Sequence, residues 1–226
     1  PPAGSTETLN LVTTYSYDTQ NRIVDVTEPG NRLTRTEYDR DGRVYRITVD
    51  PNGTARSQTE YAYDTANNTI LVTEGVGTAA IRRTQYKYDV LGRRVEEIVD
   101  PTALGGSLNL RTIYKYDNNN NLTRKIDARY IEGGAAPFNN ALNYSTWYVY
   151  DAQNRLTQTV DALGGVTQLS YDAEDRVVAT RRFATTVSTA AFGDAIASQS
   201  VTTTVNDQVS RSVYDRDGRE KYTHAT

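Results

Sequence analysis

The sequence predicts an all-β protein, built as a strip of antiparallel β-hairpins. The composition favours strands, because 17 of the 226 residues are Tyr, only three are Phe and none is Met. The dipeptide Tyr-Asp recurs along the chain, which indicates an array of repeats. The residues on either side of this dipeptide alternate with a period of two, which is the period of a strand.

The repeated dipeptide occurs eight times. Its copies are Tyr17-Asp18, Tyr38-Asp39, Tyr63-Asp64, Tyr88-Asp89, Tyr116-Asp117, Tyr150-Asp151, Tyr171-Asp172 and Tyr214-Asp215. Successive tyrosines are separated by 21, 25, 25, 28, 34, 21 and 43 residues. The basic unit therefore has 21–28 residues, and two copies carry insertions.

The residues after each Tyr-Asp predict a tight turn. The third residue after the Asp is always of a type that tolerates a left-handed backbone: Asn21, Gly42, Asn67, Gly92, Asn120, Asn154, Asp175 and Gly218. An Asp at the first turn position and such a residue at the fourth predict a type I turn that closes a bulged hairpin. The turn Asp is expected to accept hydrogen bonds from backbone amides of its own turn.

A basic residue follows the turn in most copies. It is Arg in six of them, namely Arg22, Arg43, Arg93, Arg155, Arg176 and Arg219, and Asn in the other two. We expect each Arg to pair with the Asp of its own or of a neighbouring unit. Exposed ion pairs contribute only about 0–1 kcal/mol each, so their predicted role is to fix the register of the units.

A strand is predicted on each side of the turn. The upstream pattern Thr-x-Tyr-x-Tyr, as in Thr59, Tyr61 and Tyr63, places three side chains on one face of a strand. An acidic residue 11 or 12 positions after the repeat Tyr, usually followed by Pro or Gly, predicts a second turn. These acidic residues are Glu28, Asp50, Glu74, Asp100, Asp127 and Asp161. Hairpins linked in this way predict one continuous antiparallel sheet.

The predicted organisation is a single array over residues 11–226, preceded by a flexible lead-in over residues 1–10. Two insertions interrupt the array, at residues 128–145 and 183–208. The second insertion contains a stretch that predicts a short helix, from Thr189 to Ser198.

Charge and composition argue against several classes of function. The chain has 25 basic and 28 acidic residues, so it lacks the basic face that a nucleic-acid partner requires. No apolar run approaches the roughly 18 residues of a membrane helix. The absence of Cys excludes thiolate nucleophiles and zinc–thiolate sites, and the single histidine, His224, has no partners for a triad. The carboxylates recur with the repeat, whereas a glycosidase needs one unique pair. We therefore predict a protein that is not an enzyme, with no catalytic residue, metal or cofactor.

An alternative function is the binding of a sugar by aromatic side chains. The best candidates for such a surface are Trp147, Tyr148 and Tyr150, beside the first insertion. The competing interpretation is that Tyr-x-Tyr is the strand signature of the repeat and recurs whether or not a ligand exists. The sequence favours this second interpretation.

The unit Tyr-Asp-x-x-Gly/Asn-Arg, with a downstream Asp-Pro-x-Gly such as Asp50-Pro51-Asn52-Gly53, resembles the YD repeat of the Rhs family. This family includes bacterial Rhs polymorphic toxins, the C component of Tc toxins, wall-associated bacterial proteins and the animal teneurins. The resemblance implies a β-sheet strip wound as a spiral into a hollow shell, which in the toxins encloses a C-terminal toxic domain. Neither the family's closing aspartate-protease domain nor a toxin domain is recognised in this sequence, so we expect a segment of the shell wall. The lack of Cys favours the bacterial members over the extracellular teneurins.

The resemblance implies containment by a secreted or cell-surface bacterial protein. The expected partners are the remainder of the parent Rhs chain and its toxin cargo. The alternative is an adhesion module of a large surface protein, which presents the same sheet outward to glycans or proteins. A strip with two exposed edge strands is also expected to self-associate through them.

Overall fold

The computed structural model describes residues 12–53, 56–129 and 140–225. The predicted lead-in over residues 1–10 and most of the first insertion lie outside the described residues.

The described residues form sixteen β-strands and two short 3-10 helices. The strands are β1 (Thr14–Tyr17), β2 (Ile23–Glu28), β3 (Arg32–Tyr38), β4 (Val44–Val49), β5 (Ser57–Tyr63), β6 (Thr69–Glu74), β7 (Arg82–Tyr88), β8 (Arg94–Val99), β9 (Leu110–Tyr116), β10 (Leu122–Ile126), β11 (Ser145–Tyr150), β12 (Leu156–Val160), β13 (Gly165–Tyr171), β14 (Val177–Thr186), β15 (Gln208–Tyr214) and β16 (Glu220–Ala225). The 3-10 helices are Thr102–Leu104 and Ala141–Tyr144. The strands form one antiparallel sheet in chain order, with β1 and β16 at its edges. The predicted all-β class and continuous sheet are confirmed.

The chain divides into two compact units. The first contains the residues up to Arg93 together with Ile98–Asn109, and the second contains Arg94–Glu97 together with the residues from Leu110 onward.

The predicted turn is present in all eight copies. The backbone N–H of the fourth turn residue donates to the carbonyl of the turn Asp, as from Asn21 to Asp18 at 3.1 Å. The eight fourth residues have φ between 61° and 83°, which is the left-handed region. The register shifts beside the turn, as between Glu37 and Tyr38, show the predicted bulge.

The register between successive hairpins is the same wherever the two paired strands both lie in the first compact unit or both lie in the second. The third residue after the turn Arg or Asn is paired with the third residue before the next repeat Tyr. These pairs are Asp25–Arg35, Arg46–Glu60 and Leu71–Gln85 in the first unit, and Arg124–Trp147, Gln158–Gln168 and Ala179–Arg211 in the second. The connection can be as short as residues 29–31 or as long as residues 187–207. Loop length alone therefore does not account for this register.

The first unit is held together largely by polar side chains on the sheet. Thr48, Gln58 and Thr73 are buried on one face. On the same face Arg46 binds Glu60 at 2.8 Å and Glu37 at 3.4 Å across neighbouring strands. Cross-strand pairs of this kind stabilise a sheet by roughly 0.2–1 kcal/mol each.

The second unit has an apolar core on one face of its sheet. Trp147, Val160, Val166 and Phe183 are buried there. Residues 187–207, here called the covering segment, pack over this core through Val187, Phe192, Ile196 and Val201. The covered face is the face opposite to Tyr148 and Tyr150, because side chains alternate along β11.

The predicted helix from Thr189 to Ser198 is wrong. This stretch has no helical residue and is fastened to the sheet by its backbone. The indole N–H of Trp147 donates to the carbonyl of Gly193 at 2.8 Å, and Gln158 exchanges two hydrogen bonds with the backbone of Gln199. A short helix is marginal without tertiary support, so these sheet contacts override the local preference.

Candidate functional site: the clasp between repeats

The turn Asp organises its own turn in all eight repeats. In the first repeat, Oδ1 of Asp18 accepts from the backbone N–H groups of Gln20 and Arg22, both at 2.9 Å. Oδ2 accepts from the Nε–H of Arg22 at 2.7 Å. The other seven turn aspartates, Asp39, Asp64, Asp89, Asp117, Asp151, Asp172 and Asp215, make the same three contacts, with an Asn side-chain amide replacing the guanidinium after Asp64 and Asp117. The predicted pairing of Arg with the Asp of its own unit is confirmed.

These hydrogen bonds favour the ionised carboxylate. The backbone N–H of the following Arg lowers the pKa of Asp18, Asp151 and Asp215 below its ordinary value. Hydrogen bonds to Asp151 and then to Asp175 raise the pKa of Arg155. The contacts of the turn therefore favour the charged form of the Asp.

The repeat Tyr connects each repeat to the preceding repeat. Its hydroxyl donates to the carbonyl of the residue just after the turn Arg or Asn of that preceding repeat. The bonds run from Tyr38 to Ile23, Tyr63 to Val44, Tyr88 to Thr69, Tyr116 to Arg94, Tyr150 to Leu122, Tyr171 to Leu156 and Tyr214 to Val177, at 2.7–3.1 Å. Because the acceptor is a main-chain carbonyl, the bond does not depend on the side chain of the accepting residue.

The turn Arg covers the ring of the next repeat Tyr. The guanidinium carbon lies 4.2 Å from the ring centroid for Arg22 over Tyr38 and 4.7 Å for Arg43 over Tyr63. The corresponding distance is 4.9 Å for both Arg155 over Tyr171 and Arg176 over Tyr214. These are cation–π distances, each contributing about 0.5–1 kcal/mol at an exposed site.

The same guanidinium also reaches the next turn. Nη1 of Arg43 donates to Oδ1 of Asn67 at 2.8 Å, and Nη1 of Arg155 donates to Oδ1 of Asp175 at 2.7 Å. We call the set of turn Asp, turn Arg and next repeat Tyr the clasp. The Tyr hydroxyl bond also forms after Asn68 and Asn121, where the turn Arg is missing, and the register there is the same. The hydroxyl bond is therefore the part of the contact that accompanies the constant register at all these junctions, and the clasp adds to it where the Arg is present.

Two parts of the clasp were not predicted from the sequence. The Tyr hydroxyl bond and the Arg–Tyr stacking both connect residues 15 or more positions apart, as in Tyr38 and Ile23. The sequence does contain Tyr, Asp and Arg together in one motif. Their co-occurrence does not show that the Tyr of one repeat contacts the Arg and the backbone of the preceding repeat. At Asp161 the sequence predicted only a linking turn. The Oδ1 of Asp161 accepts from the N–H groups of Leu163 and Gly165, as in a repeat turn, although this turn has no repeat Tyr and no turn Arg.

Trp147 cannot belong to a ligand surface with Tyr148 and Tyr150. Its side chain is 0% exposed, lies on the covered face and packs edge-on against Phe192 with ring centroids 5.1 Å apart. The sequence pattern failed here because the covering segment is distant in the chain. The depression of about 240 Å³ that includes Tyr148 and Tyr150 is also lined by Ala195 and Ile196 of the covering segment. It is smaller than the roughly 300–1,000 Å³ of ordinary ligand pockets.

The structure presents no metal-binding cluster in the part of the chain it describes. No group of three His, Asp or Glu side chains there lies close enough to hold an ion. Within the same residues, no helix has the length and apolar character needed to cross a bilayer.

Comparison with known proteins agrees with this geometry. The sequence model of the family described as RHS Repeat matches residues 17–55 and 150–187. Both segments are RHS repeats. Each match begins at a repeat Tyr, Tyr17 or Tyr150, and so includes two successive turns of an RHS array. Among curated proteins, no sequence matches the chain significantly.

Two solved structures are similar to this chain in fold. The crystal structure of TcdB2-TccC3 without its hypervariable C-terminal region has a TM-score of 0.55 and 15% sequence identity, over 90% of this chain and 9% of that chain. The crystal structure of TcdB2-TccC3-TEV has a TM-score of 0.53 and 13% identity, again over 90% of this chain and 9% of that one. This chain therefore spans about 9% of the length of the chains it resembles, and the likeness shows a shared fold.

Proposed function

We propose that this chain is a segment of the wall of a shell in a bacterial Rhs-type toxin, and that it has a structural rather than a catalytic role. The observation that carries the proposal is the constant register between hairpins, which the clasp maintains across connections of very different length. Such a sheet extends by adding repeats that each pack against their neighbours, as in other repeat proteins. The fold shared with the TccC3-containing structures supports this function.

The proposed mechanism is containment. A sheet that grows one hairpin at a time and curves would enclose a C-terminal toxic polypeptide and keep it away from solvent. Its partners would be the remainder of the parent chain, which would extend the sheet at both edges, and the enclosed cargo. The parent would act after export, as a secreted or cell-surface protein. The edge strands would also allow self-association of this segment.

The test of containment is protection of the cargo in the full-length parent protein. A recognition sequence for a site-specific protease is placed in the C-terminal cargo, and cleavage is followed by gel electrophoresis. We expect the cargo to resist cleavage in the intact parent and to be cut after denaturation or as an isolated fragment. Equal cleavage of the intact parent and the isolated fragment would contradict containment.

Adhesion is the competing function. Its strongest candidate for a ligand-binding residue, Trp147, is buried. Tyr148 and Tyr150 are half-buried, and the hydroxyl of Tyr150 donates to the carbonyl of Leu122. We expect no saturable binding of this chain on a glycan array. Binding that disappears in Tyr148→Ala would favour adhesion.

A further inference from the structure

The second unit contains a cavity of ligand size whose residues take no part in a clasp. It has a volume of about 490 Å³ and is lined by the turn at Asp161, by β14 and by the start of β15. Ordinary ligand pockets measure roughly 300–1,000 Å³, so this cavity is large enough for a small molecule. The polar side chains of its lining are those of Asp161, Arg182, Thr186, Asn206 and Gln208.

A bulge in β14 forms one wall of this cavity, and a buried carboxylate holds the bulge in place. Three residues of β14, 183–185, lie opposite the single residue Val166 of β13. Bulges of this kind bend a strand and redirect its side chains. The side chain of Asp207, which is 1% exposed, accepts from the N–H of Ala184 in the bulge at 3.0 Å and pairs with Arg181 at 2.8 Å. The wall is therefore fixed by hydrogen bonds of the protein itself.

Two opposite charges line the cavity without forming an ion pair with each other. The guanidinium of Arg182 is exposed and has no hydrogen bond or ion pair within the part of the chain that the structure describes. Oδ1 of Asp161 accepts from the N–H groups of Leu163 and Gly165, whereas its Oδ2 accepts no hydrogen bond from the described residues. A cation and an anion that stay apart in one cavity are complementary to a ligand that carries both charges.

Neutral groups beside these charges are available to the rest of such a ligand. The side-chain amides of Asn206 and Gln208 make no hydrogen bond in residues 12–53, 56–129 and 140–225. Gln208 is paired with Arg182 across β15 and β14, which places both side chains on one face of the sheet. A carboxamide both donates and accepts hydrogen bonds, so it matches the N–H and C=O groups of a peptide.

We propose that this cavity binds a small zwitterion of the amino-acid class, either a free amino acid or a dipeptide. Arg182 binds its carboxylate through the planar fork of the guanidinium, and Asp161 binds its ammonium group. The amides of Asn206 and Gln208 form hydrogen bonds to the polar atoms between the two charges. This site goes beyond the proposed structural role and is independent of it, so loss of the site leaves protection of the cargo unchanged.

The first experiment titrates the intact chain with four probes and measures binding by isothermal titration calorimetry. Glycine and glycylglycine carry both charges, whereas N-acetylglycine has only the carboxylate and glycinamide only the ammonium group. We expect at least one zwitterion to saturate the chain with a Kd below about 10 mM, and each singly charged probe to bind at least about tenfold more weakly than that zwitterion. Failure of both zwitterions to saturate the chain, or equal binding of a singly charged probe, would overturn the proposal.

The second experiment assigns the binding to the two charged residues. Arg182→Gln and Asp161→Asn each remove one charge, and the Asn keeps an oxygen for the N–H groups of the turn. Each variant should bind the zwitterion at least about tenfold more weakly. Arg211→Gln, which removes an exposed Arg of β15 outside the cavity, is the matched control and should bind like the wild type. Circular dichroism spectra should be the same for all four chains.

The position of the ligand can also be measured without any substitution. In the wild type we expect the zwitterion to shift the NMR signals of the side-chain amides of Asn206 and Gln208. The side-chain amide of Gln153, on an exposed repeat turn, is the reference and should not shift. Unchanged affinity in both charge variants, or equal shifts at all three amides, would contradict binding in this cavity.

Discussion

At the scale of single residues, the repeat signature is a set of complementary hydrogen-bonding and charged groups. The carboxylate of the turn Asp accepts hydrogen bonds from its own turn. The guanidinium of the turn Arg contacts both this Asp and the ring of the next repeat Tyr, and the hydroxyl of that Tyr donates to a main-chain carbonyl. Left-handed positions complete the set, and at Gly42 (φ 83°) an added Cβ would meet only Nη1 of Arg22 at 3.4 Å. The requirement for Gly, Asn or Asp there comes from the backbone conformation rather than from lack of space.

The Tyr hydroxyl bond can be tested without removing the ring. Tyr171→Phe removes the bond to the carbonyl of Leu156 at 2.7 Å, and we expect it to lower the free energy of unfolding by about 0.5–1.5 kcal/mol in urea titrations. Tyr148→Phe is the matched control, since the hydroxyl of Tyr148 makes no hydrogen bond in the described residues, and it should change stability by less than about 0.5 kcal/mol. Equal losses in the two variants would contradict the clasp.

A single buried carboxylate fastens the end of the covering segment. Asp207 accepts from the N–H of Ala184 and from the N–H and hydroxyl of Thr204, and pairs with Arg181 at 2.8 Å. The backbone N–H of Ala184, followed by Arg181, lowers the pKa of Asp207 to about 2. Because the folded pKa lies below the unfolded value, this carboxylate stabilises the fold fully above the unfolded pKa and ceases to do so as pH falls toward 2.

The pH dependence of thermal unfolding tests this role. We expect Asp207→Asn to lower the unfolding temperature at pH 7 and to lose less stability than the wild type between about pH 4 and pH 2. The measurement is circular dichroism melting at several pH values. Asp217→Asn, on an exposed turn, should melt in parallel with the wild type. Parallel curves for the wild type and Asp207→Asn would show that Asp207 is not ionised in this network.

At the scale of elements, the clasp and the connecting loop share the task of setting the register. A short connection, such as residues 29–31 between β2 and β3, restricts the pairing by itself. The connection over residues 187–207, between β14 and β15, allows many alternative pairings because loop closure depends weakly on length. The clasp is therefore most needed where the loop is longest.

This difference predicts unequal effects of one substitution at two equivalent positions. Arg176→Ala should reduce amide protection in β15 more than Arg22→Ala reduces it in β3, measured by hydrogen exchange with mass spectrometry. Both substitutions remove a guanidinium stacked on a Tyr at 4.2–4.9 Å, so each is the control for the other. The same loss of protection at both strands would show that the clasp does not set the register of the long connection.

At the scale of the whole molecule, the two units are stabilised differently. The second contains the buried cluster around Trp147 and Val160 with its covering segment, whereas the first has mainly buried polar side chains such as Gln58. Apolar burial contributes about 25 cal/mol per Å², so the second unit has the larger apolar stabilisation.

Unfolding is therefore expected to occur in two steps. Trp147 is the single Trp and reports on the second unit alone, whereas far-ultraviolet circular dichroism reports on the strands of both. In urea we expect circular dichroism to change first and Trp fluorescence to change at higher concentration. Coincident transitions would contradict independent stabilisation of the units.

The local structure of this protein follows from short-range patterns in its sequence. Tyr-Asp with a left-handed residue three positions later specifies a turn through backbone sterics and nearby hydrogen bonds, as at Asp39 and Gly42, and alternation specifies the strands. Which side chains meet across repeats depends instead on the tertiary structure. The Tyr38–Ile23 bond, the burial of Trp147 and the loss of the helix predicted from Thr189 all depend on segments brought together by the sheet. Interactions between distant residues leave no period in the sequence, and their free energy can exceed a short segment's own preference.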